Sequence, residues 1–133
     1  MTKLMRNPQA THIDYAEFLG VIPDNPKFCP CNIDGIVERK GKILLMEWKR
    51  EKEGFSEGQK LLLKALARSP DITVVIVRGN TDAELVIEEF FYVSREGTTV
   101  KAGFGKEEFF AWYREWYKYA DGSDFEQRGK TWN

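Results

Sequence analysis

A chain of 133 residues suits one ordinary domain and leaves no room for two. Hydrophobic residues make up 42% and charged residues 31%, so the chain can bury a core and disorder is not expected. The net charge of −1 excludes a bulk electrostatic nucleic-acid binder, which would be more basic.

Other classes fall away on the same grounds. No apolar run approaches the roughly 20 residues of a membrane helix. The N-terminus lacks the apolar stretch of a secretion signal, so a cytoplasmic protein without a membrane partner is expected. Cys29 and Cys31 are too few and too close for a disulfide framework. His12 is the only histidine, which leaves chemistry to carboxylates, lysines or backbone groups.

In chain order, residues 11–20 read as a short helix closed by Gly20. Residues 21–31 carry Pro23, Pro26 and Pro30 and read as an extended loop. Residues 33–37 form a strand, Lys40-Gly41 a turn, and residues 43–48 a second strand. After a polar connection at 50–54, Ser56 starts a helix to about Arg68, because Leu62, Leu63 and Leu66 recur at helical spacing. Residues 72–77 are β-branched and read as a buried strand. Residues 86–93 and 98–101 form a hairpin peripheral to the core, and residues 106–119 a final helix. The tail from Asp121 is polar and loose. One domain over 1–133 follows, with its core at about 11–78, the hairpin and aromatic helix at 84–119, and the tail at 120–133. Its class is α/β: a small mixed central sheet flanked by helices, with a right-handed crossover between the second and third strands.

Charge along the chain is uneven. From Arg39 to Arg68, nine positive residues stand against Glu47, Glu51, Glu53 and Glu57, so this window is +5 and the remainder −6. A basic centre of that kind is compatible with a locally held polyanion, and equally with a solvated helix and loop.

With a two-residue turn at Lys40-Gly41, opposed positions sum to 81. Asp34 then falls opposite Glu47, and Asn32 opposite Lys49. Directly opposed residues share a face, and so do Glu47 and Lys49, two apart on one strand. Asp34, Glu47 and Lys49 therefore converge at one end of the hairpin. Two adjacent carboxylates repel each other, and a divalent cation relieves that cost. Oxygen ligands on a rigid strand pair suit Mg²⁺, and a nearby lysine can orient water or neutralise charge on a phosphate. A plain cross-strand ion pair between Lys49 and a carboxylate fits these three residues as well. Gln59 lies on the sheet-facing side of the helix with Leu62, Leu63 and Leu66, and should point toward Lys49 and Glu47. Ser56 and Gln59 also have the spacing of a capping box.

Asp34, followed thirteen residues later by Glu47-Trp48-Lys49, then a polar loop, a helix and a strand, resembles the PD-(D/E)XK nuclease superfamily. The resemblance spans about residues 30–78 and is nearest in style to small phage or viral replication-and-repair nucleases and Holliday-junction resolvases. Ile33 stands where the family name has proline, and no family signature covers residues 80–133. The resemblance implies a restriction-endonuclease-like core and a DNA phosphodiesterase using Mg²⁺, with Mn²⁺ able to substitute. It implies Asp34, Glu47, Lys49 and Gln59 as catalytic residues. Metal ligands would be Asp34, Glu47 and the Trp48 carbonyl, with Glu17 of the first helix as a further candidate. Arg50, Lys52, Lys60 and Lys64 would contact nucleic acid, with Arg68 continuing the stripe of Lys60 and Lys64. A homodimer, and a host's cytoplasm if the protein is phage-encoded, belong to the same expectation. The rival is a catalytically silent nuclease-like domain that binds DNA or a protein partner.

Three motifs are set aside. Cys29-Pro30-Cys31 lacks the second cysteine pair a zinc site wants, and reduced, partly buried thiols are expected. Phe109, Trp112, Tyr113 and Trp116 make one apolar helix face, read as core rather than as a base-stacking surface. Gly103-Phe104-Gly105 lacks the lysine and strand context of a phosphate loop.

Overall fold

A computed structural model of the chain describes residues 13–123. Lys40 and Gly41 both take positive φ, 50° and 85°. Positive φ at both central positions is the type I′ hairpin turn, whose twist matches that of the strands it joins. It connects β1 (Gly35–Arg39) to β2 (Lys42–Lys49), with Gly35 opposite Met46 and Arg39 opposite Lys42. That is the register a two-residue loop demands.

Ser56 caps α1 (Glu57–Ala67), which carries the chain across to β3 (Ile72–Asn80), parallel to β2. β4 (Val86–Val93) and β5 (Thr99–Phe104) add antiparallel strands, so the sheet runs β1-β2-β3-β4-β5. Gly105–Asp121 form α2.

Strand alternation divides the core into two layers. On one face Leu45, Val74, Ile76 and Val93 pack with Leu63 and Ala67 of α1. On the other, Leu44, Val75, Val77, Ile87 and Phe90 pack with Phe109, Trp116 and Ala120 of α2. Trp112 and Tyr113 lie against this second cluster, as the apolar face of the last helix predicts. The Phe90 and Phe109 rings meet edge to face, 5.1 Å between centroids. The described residues thus make an α/β fold with a five-stranded mixed open sheet and one α-helix on each face. Among the described residues no helix is long and apolar enough to cross a membrane.

Four expectations are corrected. The 86–104 hairpin is not peripheral: β4 pairs along β3, and Phe90 is buried at 1% exposure. Its turn also closes α1, because the Arg95 guanidinium donates to the carbonyls of Ala67, Pro70, Ser69 and Ile72. That supplies a donor to the Ala67 carbonyl, one of those a helix C-terminus leaves without a partner, and to the turn that follows. The first helix is a single 3₁₀ turn, Ala16–Phe18, with no buried residue, so it has no core contact to extend it. Residues 11–12, including His12, lie outside the described residues. Asp121 is not tail but the last residue of α2, held to Arg39 of β1 at 2.6 Å. The tail beyond Ser123 is outside the described residues. The first strand begins at Gly35 rather than at residue 33.

Candidate active site

After Leu45, the α1-facing positions of β2 change from apolar to charged. Glu47 and Lys49 are the buried charged residues of the described chain, at 8% and 4% exposure. Their neighbours on β3 in the parallel register are Ile76 and Arg78. The β1–β2 register carried one step past Gly35 brings Asp34 opposite Glu47. The regular ladder stops short of that pair, and the Asp34 side chain takes over: its Oδ2 accepts the backbone N–H of Trp48 at 2.9 Å. Asp34 is therefore fixed to β2 one residue from Glu47.

Burial pushes the Glu47 carboxyl up to about 7. The charge of Asp34 and a hydrogen bond to it act in the same direction, while the Lys49 ammonium opposes them. An anion that must be neutralised to sit comfortably is what this corner of the sheet presents.

Gln59 closes the arrangement from α1. Its backbone N–H donates to Ser56 Oγ at 3.1 Å and the Ser56 N–H donates to Gln59 Oε1 at 3.3 Å, a complete capping box. The same Oε1 accepts from Lys49 Nζ at 3.1 Å, and Nε2 reaches Glu47 Oε2 at 3.5 Å. Capping and contact with the charged pair are one interaction set.

These side chains line an open pocket of about 680 Å³. Asp34, Glu47, Trp48, Lys49 and Gln59 share its lining with Arg50, Glu53, Gly79, Asn80 and Thr81. β3 bulges at Arg78/Gly79, and a Cβ on Gly79 would stand 2.0 Å from the Val86 carbonyl oxygen. Asn32, expected opposite Lys49, also lines the pocket.

The structure does not gather every expected residue. Arg50 reaches the pocket, but its guanidinium is held bidentately by Asp82, with Nη2 to Oδ1 at 2.6 Å. Lys52 is exposed in the turn after β2, at φ 67°. Lys60 and Lys64 on α1 and Arg68 just past its end are exposed, with Lys60 paired to Glu57 at 3.1 Å. Glu17 is exposed and is not among the pocket residues. Cys29 and Cys31 are free thiols and exposed rather than partly buried, because the 21–31 loop packs into no core; Cys31 touches the pocket edge.

Three contributors went unread in the sequence. Glu53 lies 4.0 Å from Lys49 Nζ, and the Phe55 ring lies 4.6 Å from it. Arg78 donates to the carbonyls of Arg50 and Glu53 at 2.9 and 2.7 Å, fixing the turn that bears them. A signal for Phe55 exists: it is the one apolar residue between Trp48 and Leu61. Arg78 has no local signal, since its partners are more than 20 residues away.

The donor chemistry fits a hard divalent cation. Two carboxylates on neighbouring strands and a main-chain carbonyl at Trp48 are oxygen donors of the kind Mg²⁺ takes, with water completing the octahedron. Among the described residues no group of three or more His, Cys, Asp and Glu side chains is placed to hold a metal ion. Compared with known proteins, the chain matches no family model, no curated protein and no solved structure.

Proposed function

We propose that the protein is a Mg²⁺-dependent DNA phosphodiesterase with a restriction-endonuclease-like core, of the PD-(D/E)XK kind its sequence resembles. The observation that carries this reading is the buried pair Glu47 and Lys49, joined by Asp34 and Gln59 in the lining of one open pocket. A structural ion pair alone gives no reason to bury a carboxyl beside a second carboxylate, which raises its cost. When bound, Mg²⁺ supplies neutralising charge and makes a coordinated water more acidic.

The chain's own residues supply the rest. Asp34 and Glu47 would hold the cation, with the Trp48 carbonyl beside them. Lys49 presents an ammonium, steadied by Gln59 Oε1 and the Phe55 ring, to a phosphate oxygen or attacking water. Gln59 Nε2 steadies Glu47. Lys52, Lys60 and Lys64 supply phosphate contacts that hold DNA without reading its sequence.

The test is incubation with linear, nicked, circular and four-way DNA, with and without Mg²⁺, alongside Lys49→Met. Cleavage that needs the metal and is lost in Lys49→Met supports the reading, provided calorimetry finds Mg²⁺ still bound by the variant. Wild-type protein that binds DNA but cuts none of these forms would instead mean a silent nuclease-like domain.

A further inference from the structure

A second cavity of about 230 Å³ lies between α1 and the β4–β5 hairpin, on the same face of the sheet as Glu47. Its apolar walls are Phe55, Leu63, Ile76 and Val93. Two of these belong equally to the candidate active site: the Phe55 ring lies against the Lys49 ammonium, and Ile76 is the strand partner of Glu47. The cavity is therefore next door to the proposed chemistry, separated from it by single side chains.

Its size and its edges narrow what it can hold. It falls below the roughly 300 Å³ at which pockets for whole small molecules begin, so it suits one planar ring system and not a complete nucleotide. Lys60 and Lys64, one helical turn apart on α1, stand at its edge and are exposed. An apolar slot with an aromatic wall and cations at the rim is complementary to a base inserted ring-first, with its phosphate left outside. The Lys60–Glu57 contact is a surface pair, which a phosphate can displace at little cost.

Resting on the nuclease reading above, we infer that this cavity takes an unpaired nucleobase of the strand being cut. A base inside continuous duplex cannot enter it without leaving the stack, at a penalty least for bases already unpaired. The substrate class follows: single-stranded DNA, or DNA with unpaired nucleotides beside the scissile phosphate, in preference to continuous duplex.

The test uses the full chain and a chelator, so that binding is read without cleavage. An oligonucleotide carrying the fluorescent base 2-aminopurine is titrated single-stranded and as a blunt duplex. The single strand should bind at least tenfold more tightly and change its fluorescence on binding. Thr99→Trp, at the exposed edge of the cavity, should plug it and abolish the preference while leaving duplex affinity unchanged. Thr99→Tyr, a smaller plug at the same exposed position, should act likewise and serves where Thr99→Trp does not fold. Equal wild-type affinity for the two forms, or an undiminished preference in a folded Thr99→Trp or Thr99→Tyr, overturns the inference and leaves the nuclease reading standing. A preference that the variants abolish, in a protein that cuts no DNA when Mg²⁺ is restored, overturns the nuclease reading and leaves the cavity assignment. Wild-type protein that binds neither form overturns the cavity assignment, and the nuclease reading with it if restored Mg²⁺ brings no cleavage.

Discussion

Lys49 and Gln59 are joined by a 3.1 Å hydrogen bond that ties the end of β2 to the first turn of α1. Because the same Gln59 oxygen accepts the Ser56 N–H, the start of the helix and the seat of the lysine cannot move independently.

Substitutions at Gln59 separate those two duties. Glutamate keeps an acceptor for Ser56 and Lys49 and suits the positive end of the helix dipole. Its second oxygen, however, would face the Glu47 carboxylate where an amide now stands at 3.5 Å. Gln59→Glu should therefore keep its helix cap, melt below wild type in metal-free buffer at pH 8, and lose most cleavage. Gln59→Ala should lose about 1 kcal/mol of cap stability and part of the activity. Full activity in a stable Gln59→Glu protein would leave Gln59 a cap and nothing more.

Asp34→Asn and Glu47→Gln retain shape and remove charge. Each should lower cleavage at least about 100-fold while preserving the circular dichroism spectrum. Asparagine can still accept the Trp48 N–H, so Asp34→Asn should fold normally. Glu47→Gln should melt higher than wild type in metal-free buffer at pH 8, since a buried anion beside a second carboxylate has been removed. Either variant cutting at the wild-type rate would refute the site.

The raised Glu47 pKa sets a pH dependence. Unfolded, this carboxyl titrates near 4.5; folded, near 7. Between those values the folded chain binds more protons, so metal-free stability falls as pH rises through the window and levels off above it. The loss is about 2 kcal/mol after allowance for partial solvation. A cation at Asp34 and Glu47 needs Glu47 ionised and cancels the loss. Mg²⁺ should thus raise the melting temperature by several degrees at pH 8 and hardly at all at pH 5.5. Equal shifts at both pH values would place the metal elsewhere.

Asp82 holds Arg50 with the bidentate geometry a phosphate would use. The pair keeps the arginine's pKa raised and the aspartate's lowered. Asp82→Asn should free the guanidinium at the pocket edge, tighten DNA binding several-fold and steepen its salt dependence. Asp24→Asn removes an equal charge from the exposed loop and should do neither. If both variants tighten binding alike, only overall charge matters.

What could be read from sequence was what local rules determine. A lysine-glycine dipeptide between apolar runs gives a two-residue turn, and the turn alone aligns Asp34 with Glu47. Serine three residues before glutamine gives the capping box, and alternation along β2 puts Glu47 and Lys49 on one face. What escaped depends on distant partners. Alternation marks β4 as a strand without saying that it lies against β3. Nothing near Arg50 announces Asp82, 32 residues away. Residues 11–20 carry helix-like spacing, yet the described part makes only a 3₁₀ turn because no apolar surface of the sheet meets it.

Gly79 bears on how this pocket could be redesigned. The space its side chain would need is filled by the Val86 carbonyl, so every replacement must push β4 away from β3. The pocket lining is therefore bare main chain at that point, whatever substrate is wanted. Selectivity engineered into the pocket has to come from the next two positions, Asn80 and Thr81. Asn80 Oδ1 already accepts the Asp82 N–H at 3.2 Å, so a change there would disturb the partner of Arg50. Thr81, exposed, lining the pocket and just past the end of β3, can take a new side chain without rebuilding the sheet.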